Sequence, residues 1–275
     1  MEGIHCLNCH TVFHNNEKFC PQCGQSRNVH RFTMANFFHE GFHAVTHTDK
    51  GIFHLLKSLA TKPGTTAREY IAGKRKKYFS PFTFFLILMT IFVLSNTYFL
   101  KEVKLIEPSA KVLQRIPTEE GKKKYIATIG RVNSSQSFFR KHGNIVAMIA
   151  VPVISLFTWL FFRRKKFNYA EHLTANMMFV AFSNLVFTLI IFPLAGLLKP
   201  GLSAYFTAMA ILLQVVYFTW SFNGFLQLTS AGQRTKSFLV CLLAIFFWSL
   251  LSVTAMAIYV YQNWHFYEFF TRMKG

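Results

Sequence analysis

Charge is missing from five long stretches of this 275-residue chain, and the charge found elsewhere is lopsided. Asp and Glu number 11, against 30 Lys and Arg, for a formal net charge of +19. The uncharged stretches are 81–100, 144–162, 173–198, 202–228 and 238–261. Each has the length of a membrane crossing and is bounded by basic or turn residues. They are apolar all round and lack an amphipathic stripe, which excludes a soluble helix bundle. The absence of mid-span Asp, Glu, Lys and Arg argues against a coupled transporter, which carries ionisable groups within the membrane. Much of the positive charge flanks the spans, so anionic lipid is a simpler partner than nucleic acid, which is not expected.

Cysteine is also scarce, with five in the chain. Four form two tight pairs, Cys6-Leu7-Asn8-Cys9 and Cys20-Pro21-Gln22-Cys23, the second followed by Gly24-Gln25. Each pair puts two thiolates on one turn, and two such turns make a tetrahedral sulfur site suited to zinc. The polar segment between them (His10 to Phe19) has the length found in a zinc ribbon. Two disulfides are the alternative, but no signal peptide is apparent and a reducing compartment is expected. Four thiolates leave no open position, so the metal's role is structural. His5, His10 and His14 lie close enough to substitute for a ligand but are not needed. Cys241 sits in an apolar run and reads as an inert small hydrophobe.

Ser80 and Pro81 open the first span as cap and first-turn residue. Pro152 and Pro193 are expected to kink the second and third. Lys199-Pro200-Gly201 reads as the turn before the fourth. Lys and Arg nearly balance on the two sides, so their number does not set the orientation. Lys74-Arg75-Lys76-Lys77 immediately before the first span, and the difficulty of translocating a metal-bound head, put the N-terminus inside and the C-terminus outside. The mixed-charge segment 101–142 reads as a small exposed element or a flexible connection.

Between the ribbon and the first span, at about 100° per residue, His39, His43, His47, Lys50, His54 and Lys57 share one sector. Phe38, Gly41, Val45, Ile52, Leu56 and Leu59 lie roughly opposite. This is an amphipathic helix, or two separated at Thr48-Asp49-Lys50-Gly51. It is expected to lie on the inner membrane surface, with its apolar side in the acyl boundary. His39-Glu40-Gly41-Phe42-His43 matches the His-Glu-x-x-His pattern of metalloproteases. Gly41 weakens that helix and no catalytic domain surrounds it, so protease activity is the least favoured reading. A non-catalytic second metal site, or pH sensing by His39, His43 and His47, is preferred to it. Pro63-Gly64 should stop one helix and Thr66/Glu69 should cap the next. Arg68, Lys74, Arg75, Lys76 and Lys77 are candidate contacts to lipid headgroups.

Glu171 and His172 are the one adjacent acid–imidazole pair at a span boundary, and Asn176 and Ser183 share the His172 face. Interhelical hydrogen bonding is the default for such groups, and an ion path through Glu171, His172 and Asn176 is the functional alternative.

The paired cysteines with Gly24-Gln25, Asp49-Lys50-Gly51, Pro63-Gly64, Arg68-Glu69-Tyr70-Ile71 with Gly73-Lys74-Arg75, and Asn168-Tyr169-Ala170-Glu171-His172 together resemble an uncharacterised bacterial membrane family, domain of unknown function 3667. The resemblance covers most of the chain and is strongest over 6–85. It implies a zinc-ribbon head on a polytopic membrane domain, and no reaction.

The expected fold is therefore an all-α polytopic membrane protein of about five transmembrane helices, with an N-terminal zinc ribbon and amphipathic juxtamembrane helices. Its parts are the ribbon (1–30), the juxtamembrane segment (31–79) and the membrane domain (80–275, with the exposed loop 101–142). The expected setting is the bacterial inner membrane with a cytoplasmic N-terminus. The favoured function is non-enzymatic, in binding lipid or an unidentified protein partner. A transporter or channel using the Glu171/His172 face is the alternative.

Overall fold

The computed structural model describes residues 4–13, 17–34, 51–98 and 105–262. Nine α-helices run through them: α1 (Ile52–Thr61), α2 (Pro63–Ile71), α3 (Pro81–Tyr98), α4 (Ala110–Arg115), α5 (Glu119–Phe162), α6 (Tyr169–Val186), α7 (Phe192–Leu197), α8 (Pro200–Phe225) and α9 (Ala231–Tyr261). A π-helical segment, Phe187–Ile191, joins α6 to α7. Among the described residues there is no strand, only the isolated bridges His5–Val12 and Phe19–Ser26 in the head. The chain divides into two compact units. The first comprises Met1–Phe92 with Ile149–Ile245, and the second Val93–Met148 with Phe246–Gly275.

Four helices are long and apolar enough to cross a membrane: Lys141–Phe162, Tyr169–Leu197, Gly201–Phe225 and Ala231–Tyr261. The fifth expected span is a shorter apolar helix over the described residues, Pro81–Ser95. The protein is thus an all-helical integral membrane protein.

Prolines mark the breaks. Pro193 follows the π segment, where its missing N–H and its ring disrupt the preceding turn, and the wider π turn absorbs both effects. Pro81 and Pro200 begin α3 and α8, where no N–H is needed. Pro152 lies inside α5, but the non-helical residue of that helix is His142 (φ −120°, ψ 22°).

The segment 101–142 departs from its expected form. From Glu119 to the non-helical His142 it is helical, the part of α5 that precedes the kink. Thr118 starts it, its hydroxyl accepting from the Gly121 N–H at 3.1 Å. Glu119 and Glu120 then favour the positive end of the helix dipole. In the second unit, Arg131 Nε donates to the Val260 carbonyl at 2.6 Å. Asn133 exchanges two hydrogen bonds with the Ile106 backbone.

The juxtamembrane segment differs more. The α1–α2 hairpin packs against α6 and α8. Leu55 and Leu59, one helical turn apart on α1, are completely buried. Tyr217 of α8 donates its hydroxyl to the Leu59 carbonyl at 3.3 Å. Of the apolar face expected to enter the acyl boundary, Leu59 is buried against the protein's own helices and Ile52 and Leu56 are half-buried, while Phe38, Gly41 and Val45 lie outside the described residues; neighbouring Phe53 stays 80% exposed. Thr66 and Glu69 do not cap α2. The helix starts earlier, at Pro63, and Thr66 Oγ1 bonds back to the Lys62 carbonyl at 2.9 Å. The physical reason is that Pro63 supplies a pre-set first turn, which leaves the hydroxyl inside the helix.

Candidate metal centre and its dock

The head is built twice. Cys6–Cys9 and Cys20–Cys23 each form a tight knuckle, closed by an N–H bond to the first cysteine's carbonyl. His10 supplies that N–H in one (2.9 Å) and Gly24 in the other (2.8 Å). Both closing residues have positive φ, 63° at His10 and 71° at Gly24. Glycine adopts this without strain; a histidine there carries a modest cost. Cys6 N–H bonds Thr11 O and Cys20 N–H bonds Gln25 O, each at 2.8 Å, and the two bridges flank the knuckles in matching positions.

This repeat turns four sulfurs inward. Cys6 Sγ lies 3.6 Å from Cys23 Sγ, and Cys9 Sγ lies 3.5 Å from Cys20 Sγ. All four lie within 4.8 Å of one another. A tetrahedral ion with sulfur at about 2.3 Å requires sulfur separations of roughly 3.8 Å. The four cysteines therefore can hold one metal ion. At Cys9 the Thr11 hydroxyl, and then the Thr11 backbone, lower the thiol from 9.0 to about 6. That shift favours the thiolate that a metal requires. Among the described residues no histidine joins the cluster; His5 Nδ1 instead bonds the His10 carbonyl.

The head is docked on the helices of its own unit. A Cβ on Gly73 would lie 2.9 Å from Leu7 Cδ1 and 3.1 Å from Val29 Cγ1, so the first knuckle rests on this turn. Gly73 has φ 112°, which also reserves the position for glycine. The buried Gln25 accepts from the Lys76 N–H at 3.1 Å. Downstream, Arg75 donates to the His30 carbonyl at 2.8 Å and lies over the Phe32 ring at 4.2 Å. Phe32 stacks on Tyr70 at 5.8 Å.

The basic box, Arg68 with Lys74 to Lys77, is mostly engaged within the protein. Glu69 accepts from Lys77 Nζ (2.6 Å), Tyr78 Oη (2.6 Å) and Lys74 Nζ (3.2 Å). Burial opposes ionisation of Glu69, but hydrogen bonds from Lys77, Tyr78 and Lys74 outweigh it and hold the carboxyl at about 2. Lys77 is raised by the same pair. Arg68 is half-buried, and Lys76 points outward. Glu69 was legible only as a capping residue; its role as an acceptor for the turn that follows needed the fold.

Glu171 and His172 part company. Glu171 belongs to a capping box with Asn168, each side chain bonding the other's backbone N–H (2.9 and 2.7 Å). Arg31, from just beyond the ribbon, grips the same carboxylate with Nε at 2.8 Å and Nη2 at 3.0 Å, and also bonds the Lys166 carbonyl. Asn168 in turn donates to the Phe32 carbonyl at 2.8 Å. His172 points inward, its Nδ1 3.2 Å from Thr158 Oγ1. Asn176 donates to Ser155 Oγ at 3.1 Å and Thr158 Oγ1 at 3.2 Å. Farther along α6, Ser183 accepts from Gln214 at 2.9 Å. The polar stripe of α6 thus ties it to α5 and α8, and Glu171 lies apart from it. His39, Glu40, His43 and His47 lie outside the described residues.

A family model described as a protein of unknown function (DUF3667) matches residues 49–93, the segment holding α1, α2, the basic box and the start of α3. The resemblance read from Asp49-Lys50-Gly51, Pro63-Gly64 and the basic box rests on this same segment. No curated protein and no solved structure matches the chain.

Proposed function

We propose that this is a non-enzymatic membrane protein of the bacterial inner membrane. Its four cysteines hold structural zinc in a cytoplasmic head that works by contact with lipid or a protein partner. The observation that carries this reading is the seating of the four-cysteine head on the basic ends of the span helices. The head touches the 73–76 turn, and Arg31, just beyond it, bonds the Lys166 carbonyl at the end of the Arg163–Lys166 run. Nearby, Lys236 Nζ donates to the Phe161 carbonyl at 3.0 Å, which joins the start of α9 to that end. A basic rim beside a head favours the cytoplasmic side, where anionic lipid attracts each Lys or Arg by about 1 kcal/mol. Exposed Lys57, Lys62, Lys76, Arg163, Arg164, Lys166 and Arg234 supply that rim, while Lys74 and Lys77 are spent on Glu69. Zinc is favoured over other metals because four thiolates in a closed tetrahedral site match its chemistry.

Metal analysis of the full-length protein purified in detergent tests the first part. One zinc per chain is expected, lost on Cys6→Ser or Cys20→Ser. Reagent labelling of single-site tags in intact cells tests the side. Access to a tag at the N-terminus from outside would overturn the cytoplasmic assignment.

A further inference from the structure

Among its described residues the ribbon has almost no core apart from its ligands. Its apolar cluster consists of Cys6, Phe13 and Cys20, with Cys9 and Cys23 packed against them. Phe13 is the one member that is not a cysteine. A domain of this kind folds when its metal binds, because binding free energy replaces the missing apolar burial. What the folded ribbon positions is equally specific. Leu7 and Val29 sit on Gly73, and Gln25 holds the Lys76 N–H. These anchors fix the start of the segment that delivers Arg31 to Glu171 and the Phe32 carbonyl to Asn168. Glu171 is 3% exposed, and Arg31 is the cation that grips its carboxylate. The residue after it, His172, is fully buried against α5 through Thr158.

From this chain of contacts we infer that metal occupancy of the four-cysteine site is transmitted to the membrane domain. The zinc-folded ribbon acts as a clamp, with Arg31 as the positioning residue that holds the Asn168/Glu171 cap of α6 closed. Loss of metal unfolds the ribbon, withdraws Arg31 and Phe32, and loosens the first turn of α6 where it meets α5. The membrane domain then has two states set by metal at the head, which makes the head a sensor as well as a fold. The inference rests on the zinc reading above, and the experiment separates the two.

Hydrogen–deuterium exchange of the full chain in detergent, with zinc content measured on the same samples, reads both links. Removing zinc with a chelator should deprotect the ribbon amides of Cys6, His10, Cys20 and Gly24. It should also speed exchange at Asn168, Glu171 and His172 by about tenfold, the effect of losing one charged hydrogen-bond partner. Amides in the middle of α8 should not change. In zinc-loaded protein, Arg31→Gln should reproduce the change at Asn168 and Glu171 while zinc content and ribbon protection stay intact. Zinc removal that deprotects the ribbon and leaves the α6 amides unchanged overturns the clamp and leaves the zinc reading standing. An Arg31→Gln protein with wild-type exchange at Asn168 and Glu171 overturns it too. A chain that binds no zinc refutes the metal reading and the clamp together.

Discussion

Gly64→Ala should be among the most damaging single-methyl additions in the described part of this protein. Gly64 sits in the first turn of α2, where that helix crosses α8. A Cβ there would lie 2.2 Å from the Ser221 carbonyl oxygen, 2.4 Å from the Phe225 nitrogen and 2.6 Å from the Gly224 carbonyl carbon. All three are backbone atoms, so no rotamer change can relieve the clash. Ordinary contact begins at 3.4 Å, so α2 and α8 must move apart by roughly 1 Å, and dispersion contacts along the crossing weaken steeply over that distance. The Tyr217–Leu59 hydrogen bond, already 3.3 Å, lies on the same packed face. Overpacking costs about 1–3 kcal/mol where side chains can yield, and the upper end applies where they cannot. A gain of up to about 1 kcal/mol from replacing a helical glycine offsets part of this. The net loss is about 2–3 kcal/mol. For a unit of this size it lowers the melting temperature by about 4–12 °C, read by tryptophan fluorescence of the full chain in mild detergent. Gly224→Ala, whose Cβ meets Gly64 Cα at 3.2 Å, should cost less. Gly196→Ala and Gly232→Ala meet nothing within 4 Å and should be neutral or slightly stabilising. A Gly64→Ala protein that melts with the Gly232→Ala control would refute the α2–α8 crossing itself.

Glu69→Gln should destabilise the protein at neutral pH, and the deficit should shrink on acidification. The folded carboxyl titrates at about 2 against an ordinary value of 4.5, so its contribution is present above the unfolded value and is lost as pH falls towards 2. Melting curves of both proteins between pH 6 and pH 3 check this; a constant gap would mean the carboxylate charge is irrelevant. Asn176→Leu should cost only about 1 kcal/mol, since Ser155 and Thr158 keep their bonds to the Val151 and Ser155 carbonyls, and intramembrane side-chain bonds are individually modest. The same melting assay measures it, and a loss several times larger would point to a further role for Asn176.

Much of the architecture could be read locally. Four cysteines at knuckle spacing need little tertiary context, because each pair shapes its own turn and the two turns bring four sulfurs within reach of one ion. The spans were legible because the membrane demands a long uncharged helix whatever its neighbours are. Prolines 81, 193 and 200 marked breaks by the same local rule. The Asn168-x-x-Glu171 capping box is also present in the sequence, although adjacency alone pairs Glu171 with His172. Tertiary structure decided where the faces went. Amphipathicity shows that Leu59 must be covered, but lipid and protein are equally apolar, so periodicity does not choose between them; the packing of α1 on α6 and α8 does. Charge shows that Lys74 and Lys77 seek an anion, but phosphate and carboxylate answer alike, and Glu69 is within reach only because the chain turns back at Gly73. Adjacent residues such as Glu171 and His172 lie about 100° apart on a helix, so one faces the Arg31 segment and the other faces α5. The pairing of Arg31 with Glu171 spans 140 residues, and no local pattern encodes it. Only the tertiary fold brings the two charges together.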